Sequence, residues 1–412
     1  MSDEKPFFDR LRADPRSDGP RLIYADWLDD HGEPDRAEFV RVQCALARLP
    51  DDASQRPALV ARETELREAN EARWAAPVAD LVTDWEFRRG VLDSVSVTPG
   101  QFIRHGQAIF DTVPVRKVRF VEVGDQLPAL VHVPLIGLVR ELDLVGNDLG
   151  RRGPDWLDAS PYLGGLEAID LGFTELTDRG LVVLSRSPTL GRLRTLHVND
   201  NPGLRPAGLR ALAESPHLTD LIELDVSGNA LTDDALRPIM AGPPGRRLRL
   251  IVLHGNRLGD TGTVEFVHAL VFGRMAATGT LDLRRVEMGP AGARAIAESP
   301  SLADVETLVL DQNSVGDAGL TAIAGSPHAK RLKVLSLREN RISDDGTRAL
   351  ARSQVMATLR VLDLTGNIIT QPARDRLHEA SVSYDWRGPL ELRADPNQLT
   401  RPAPNYARGL PL

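Results

Sequence analysis

One eleven-residue pattern recurs nine times in this 412-residue chain and constrains its fold more than any other feature. The pattern is L-x-x-L-x-L-x-x-N-x-L. It begins at Val139, Leu166, Leu193, Leu221, Leu248, Thr278, Val305, Leu332 and Leu359. Its ninth position reads Asn147, Thr174, Asn201, Asn229, Asn256, Val286, Asn313, Asn340 and Asn367, at spacings of 27, 27, 28, 27, 30, 27, 27 and 27. Self-similarity at such a period marks a repeat array, so chain length says little about domain count. Within each unit, positions 4 and 6 are apolar and share one face of a short strand. The Asn stands where the chain must turn, with donors and an acceptor for turn backbone. A helical pattern follows, as from Ser343, and Ser-Pro closes it at Pro161, Pro188, Pro216, Pro300 and Pro327. One such unit cannot bury its apolar face alone, whereas stacked units bury a continuous core.

These repeats resemble the leucine-rich repeat family in its long, ribonuclease-inhibitor-like form. The resemblance implies an α/β fold: a right-handed horseshoe with parallel strands on the concave side and helices on the convex side. It covers about residues 115–380. Insertions near Asn201 and Gly273 should disturb the regularity locally. VRKVRFVEVGDQL, from Val115, reads as a degenerate tenth unit with Val123 in the Asn position, and residues 94–97 as an irregular first strand.

Residues 1–80 lack the period. Three short helix patterns, PFFDRLRADP, DGPRLIYADWLDDHG and PDRAEFVRVQCALARLP, precede a longer charged one, PALVARETELREANEARW. Apolar residues at Leu22, Ile23, Trp27 and Leu28, and at Phe39, Val42 and Leu46, predict a small all-α bundle with Trp27 as a core anchor. Pro20-Arg21-Leu22, Tyr24 to Leu28, Gly32 and Arg36 to Gln43 resemble the repeat-companion domain, a module that precedes repeat arrays in planctomycete and myxobacterial proteins. The expected organisation is a companion module with its linker helix (1–80), a cap and irregular first repeat (81–114), the solenoid (115–380), and a C-terminal cap with a loose tail (381–412).

Composition narrows the function. Fifty Lys and Arg against 58 Asp and Glu give a net charge of −8, which disfavours nucleic acid as a partner. Cys44 is the sole cysteine, so an internal disulfide and a cysteine-built zinc site are excluded. No HExxH, no His-x-x-x-His pair and no phosphate-binding glycine motif occurs, and no cofactor is expected. The charged start lacks the apolar core of a secretory signal, and the longest apolar stretch, 127–139, is too short for a membrane span. A soluble, cytoplasmic protein is the expectation.

Positions 3, 5, 7 and 8 of each strand should face away from the core. Acids there are Glu141, Asp143, Asp170, Asp200, Glu223, Asp225, Asp282, Asp311, Glu339 and Asp363; bases are Arg284, Arg285 and Arg338, with His197, His254 and Phe173 beside them. Strands about 4.8 Å apart would stack these into an acidic column. Such a surface predicts a non-enzymatic scaffold whose protein partner carries a basic patch. The bland reading is that these acids only keep the face soluble. Two other readings remain: a regulator that inhibits or activates a bound enzyme, and a hydrolase built from Asp26, His31 and Glu33 or Asp35. Cys44 has no activating neighbour in sequence and is expected to be an inert thiol.

Overall fold

A computed structural model describes residues 3–49, 53–242, 247–276, 278–383 and 391–393. Most of the expected C-terminal cap and tail, 381–412, lies outside these residues. The chain divides into two compact units that part between Thr174 and Glu175.

The first unit opens with four helices, α1 (Lys5–Ala13), α2 (Gly19–Asp30), α3 (Pro34–Arg48) and α4 (Arg56–Ala79). They match the four helical patterns, but they do not enclose a core of their own. Val91 joins Phe8, Leu11, Tyr24, Leu28, Val40 and Cys44 in one apolar cluster. Phe39 and Trp74 likewise pack against Phe87, with ring centroids 5.6 and 6.1 Å from it. Phe87 and Val91 belong to an antiparallel pair, β1 (Asp84–Arg88) and β2 (Val91–Val97). The helices are therefore built onto the start of the sheet.

Trp27 is not the anchor expected of it. The buried face of α2 is Arg21, Tyr24, Ala25 and Leu28, at helical i, i+3, i+4 and i+7 spacing. Trp27 lies on the flank of that face, half-buried between Phe7 and His31, whose ring centroid is 3.9 Å away. Ile23, on the far side, is 52% exposed. Tyr24 takes the anchoring place, with no exposed surface and its hydroxyl donating to Glu4 Oε1 at 2.6 Å.

From β2 onward, strand and helix alternate: α5 (Pro99–Thr112), β3 (Lys117–Phe120), α6 (Leu127–Val131), β4 (Glu141–Asp143), α7 (Gly153–Ala159) and β5 (Ala168–Asp170). Strands β2 to β5 pair in parallel, so the degenerate unit at Val115 and the irregular strand around 94–97 both join the sheet.

The second unit continues the alternation with α8 (Asp178–Arg186), β6 (Thr195–His197), α9 (Pro206–Ala213), β7 (Glu223–Asp225), α10 (Asp233–Ala241), β8 (Leu250–Val252), α11 (Gly259–His268) and α12 (Leu270–Ala276). Then come β9 (Thr280–Asp282), α13 (Pro290–Glu298), β10 (Thr307–Val309), α14 (Gly316–Ala324), β11 (Val334–Ser336), α15 (Asp344–Ala351), β12 (Val361–Asp363), α16 (Gln371–Ser383) and β13 (Glu391–Arg393). Strands β6 to β8 form one parallel run and β9 to β13 another. The break falls at the 30-residue spacing, where the extra residues form α12. Template position 4 stays in register throughout, as in Leu281, Leu308, Leu335 and Leu362.

Three side-chain ladders tie successive repeats together. The asparagine ladder is the one expected. Asn313 Nδ2 donates to Leu283 O (2.8 Å) one repeat back and to Leu310 O (2.9 Å) in its own repeat. Its Oδ1 accepts from Val286 N and Met288 N at 3.0 Å each. Asn256 and Asn367 repeat this four-bond pattern. At Val286, fully buried, the pattern lapses, because valine has neither donor nor acceptor.

The other two ladders have no signature in the apolar period. Asp178, Asp260, Asp317 and Asp344 stand in the first turns of helices or just ahead of them, and each accepts backbone N–H groups at the next helix start. Asp260 Oδ1, for example, bonds Gly289 N (2.9 Å) and Gly292 N (2.6 Å). The Ser of Ser-Pro also does more than precede a proline. Ser160, Ser215 and Ser326 donate through Oγ, at 2.5 Å, to Val131 O, Ser185 O and Ala297 O, carbonyls left over at the end of the helix one repeat back.

Candidate functional site

The strands of the regular repeats are three residues long and end at template position 5, so the chain must turn immediately. A carboxylate there accepts the N–H two residues on, as short acidic side chains do in turns. Asp143 bonds Val145 N (3.1 Å), Asp170 bonds Gly172 N (3.0 Å), Asp225 bonds Ser227 N (2.8 Å) and Oγ (2.6 Å), Asp282 bonds Arg284 N (3.1 Å), and Asp363 bonds Thr365 N (3.0 Å). Asp311, at position 7, instead reaches Ser336 Oγ (2.6 Å) and Arg338 N (3.0 Å) in the next repeat. Burial raises its pKa above the usual aspartate value, against those hydrogen bonds.

Cations and imidazole engage other acids of the face: Arg88 with Glu141 (3.1 Å), Lys117 with Asp143 (2.9 Å), His197 with Glu223 (2.9 Å) and Arg284 Nε with Asp282 (2.9 Å). The expected column of outward, unpaired carboxylates is thus corrected. Asp143, Asp311, Arg338 and Asp363 are buried, and Glu141, Asp170, His197, Glu223, Asp225, His254, Asp282 and Arg284 are half-buried. Turn formation consumes the position-5 acids.

What faces solvent is the rim just beyond the strands. Position 8 has positive φ in all nine repeats: Gly146, Phe173, Asp200, Gly228, Gly255, Arg285, Gln312, Glu339 and Gly366. Its N–H extends the inter-repeat bonding, as from Arg285 N to Asp311 O (2.9 Å) and Glu339 N to Thr365 O (2.9 Å), and the left-handed step then swings the next residue, the Asn, inward. Glycine adopts this geometry freely, whereas another residue is strained by roughly 1–2 kcal/mol. Phe173, in the first unit, is 58% exposed. Arg285, Gln312 and Glu339, in the second, are exposed, and Asp200 is half-buried. Position 10 is only a spacer in the template, yet Glu287 and Arg341 are also left-handed and exposed there. The sequence signal is no more than that this column holds no large apolar residue until Ile368.

The N-terminal candidates separate. Asp26 pairs with Arg41 at 2.6 Å, Glu33 with Arg73 at 2.7 Å, and His31 lies stacked on Trp27 with Nδ1 2.7 Å from Trp27 O. The trio expected of a hydrolase does not assemble. Cys44 is buried against Arg89 O, and desolvation pushes its thiol up to about 12, which leaves it protonated at neutral pH. Among the described residues no group of three His, Cys, Asp or Glu side chains is placed to hold a metal, and no helix is long and apolar enough to cross a membrane.

A buried charge cluster in the first unit joins the helices to the sheet. Asp18, Arg21, Asp93 and Arg116 are all buried. Desolvation, with Glu141 nearby, pushes Asp93 up to about 6, against the pull of Arg88, Arg116 and Arg21. The folded chain therefore holds this proton up to about pH 6, whereas the unfolded chain releases it near the ordinary aspartate value of about 3.9. Folded protein binds more protons across that window, so the Asp93 contribution to stability falls as pH rises from about 4 to 6 and is flat outside it. Melting of the parent and of Asp93→Asn from pH 4 to 7 should show a difference that changes by on the order of 2–3 kcal/mol. A constant difference would show that Asp93 ionises normally.

Among curated proteins, none matches the chain. Residues 217–240 and 329–351 match the family described as Leucine Rich repeat, and these two matches, set on strand–turn–helix units of the second unit, support a leucine-rich repeat protein.

Proposed function

We propose that the chain is a non-enzymatic scaffold that binds another protein across the strand face and turn rim of the second unit. Leucine-rich repeats generally mediate protein–protein interaction. The observation that carries the reading is the rim itself. Arg285, Gln312 and Glu339 occupy, in successive repeats, a left-handed position that Gly228, Gly255 and Gly366 fill without strain. Strained residues kept at exposed positions favour a functional use. A net charge of −8 favours a partner bearing a basic patch. In this reading residues 1–80 act as the companion that covers the N-terminal start of the array.

The triple variant Arg285→Gly, Gln312→Gly, Glu339→Gly separates recognition from folding. Relief of strain offsets the entropy cost of glycine, so its melting temperature should equal or slightly exceed that of the parent. Proteins captured from lysate by the parent at low salt should be lost from the variant. If both capture the same proteins and release them at the same salt, the rim is not the recognition surface. A captured enzyme whose rate changes on binding would make the chain a regulator.

A further inference from the structure

Three guanidinium groups border one cavity in the first unit, where α1 lies against the residues that lead into β3 and β4. Its lining is Arg12, Arg116 and Arg140, with Val115 and Leu138 as the apolar wall and no acidic side chain. The cavity measures about 80 Å³, several times the roughly 10–15 Å³ that one water molecule requires by this measure.

Backbone carbonyls hold the arginines in place. Arg12 Nη2 donates to Val113 O (2.7 Å) and to Phe110 O, Arg116 Nη1 to Arg12 O (3.5 Å), and Arg140 Nη1 to Gly137 O (2.8 Å). Negative charge is short by comparison. Asp9 meets Arg12 at 3.2 Å but is 59% exposed, Glu167 meets Arg116 at 3.2 Å, and Asp111 acts on Arg12 and Asp93 on Arg116 only through their charge. Arg140 has no carboxylate partner among the described residues. Arg12 Nε is buried without an acceptor, and desolvation holds the Arg12 pKa below the usual arginine value. Fixed, planar, under-neutralised guanidinium forks around a small space suit an oxyanion, which can accept from several at once.

We propose that this cavity binds a single phosphoryl group, as free phosphate or as a phosphate monoester on a partner protein. The site is independent of the rim proposed for recognition. The test is calorimetric titration of the full chain, at low ionic strength, with inorganic phosphate, a phosphoserine peptide and acetate. Phosphate or the phosphopeptide should bind saturably, and Arg140→Gln should weaken that binding at least tenfold. Leu138 is 47% exposed, so Leu138→Glu should not lower the ligand-free melting temperature, while its negative charge at the cavity wall should abolish binding. That second variant keeps the test decisive if Arg140→Gln disturbs the fold. Tighter binding of the phosphopeptide than of phosphate would identify a modified partner as the source, and the reverse a free anion. Acetate binding as well as phosphate does, no saturation by either phosphoryl ligand, or unchanged affinity in both variants would overturn the assignment.

Discussion

Gly90→Ala should cost more than about 4 kcal/mol or prevent folding of the first unit. A Cβ at Gly90 would stand 2.2 Å from Val40 Cα, a backbone atom that cannot turn aside, and the residue has φ +85. Its N–H donates to Gln43 Oε1 at 2.5 Å, which pins the turn to α3 and leaves it no room to retreat. The substitution strikes where α3 crosses the β1–β2 turn, so helices and strands should be lost together. Gly146→Ala is the control: φ is +76, but nothing lies within 4 Å, so only the conformational penalty of about 1 kcal/mol applies. Urea unfolding of both variants measures the contrast. Equal, small losses would mean that α3 does not lie so close to the turn.

Asn340→Ala should cost about 3–5 kcal/mol, because it strands several buried backbone groups at once, each worth roughly 1–3 kcal/mol unsatisfied. The side chain is fully buried, donates to Leu310 O (2.8 Å) and Arg338 O (3.0 Å), and accepts from Val315 N (3.2 Å). Asn340→Asp keeps the acceptor and loses the donors, so it should also destabilise, and more at high pH than at low. Hydrogen exchange at Val315 reports the bond directly. A loss under about 1 kcal/mol for the alanine variant would show that the ladder follows the turn rather than holding it.

Strands and their register are legible from period alone. Leu335 and Leu362 sit where the template places them, and Val286 marks a gap because its chemistry is visible in one letter. Direction is harder. Strand alternation says that Asp363 points away from the core, but not that a three-residue strand turns at once and folds the carboxylate onto Thr365 N. Arg285 and Glu339 fall in the expected column for a different reason, since their exposure comes from left-handed backbone that no periodicity reports. In α2, apolar spacing favours Trp27 over Tyr24 because the buried face also carries a charged residue, Arg21, which hydropathy assigns to solvent. The arginine cavity is formed by residues more than a hundred positions apart, Arg12 and Arg116 among them, and has no local pattern to read.

The ladders also bear on how such an array can change in length. Asn313 and Asn367 each bond the turn before their own, while Asp178 and Asp260 each bond the helix start after theirs. Where both ladders are present, a junction is made by the same two handshakes, one in each direction. Excision of one whole 27-residue segment, such as the one that runs from Leu332 up to the start of the next pattern at Leu359, would bring Asp317 to the helix start that Asp344 now bonds at Thr370 N, and Asn367 to the carbonyl that Asn340 now bonds at Leu310 O. A fragment that is not a whole repeat would leave both outstretched, so changes of length that keep the ladders come in whole repeats.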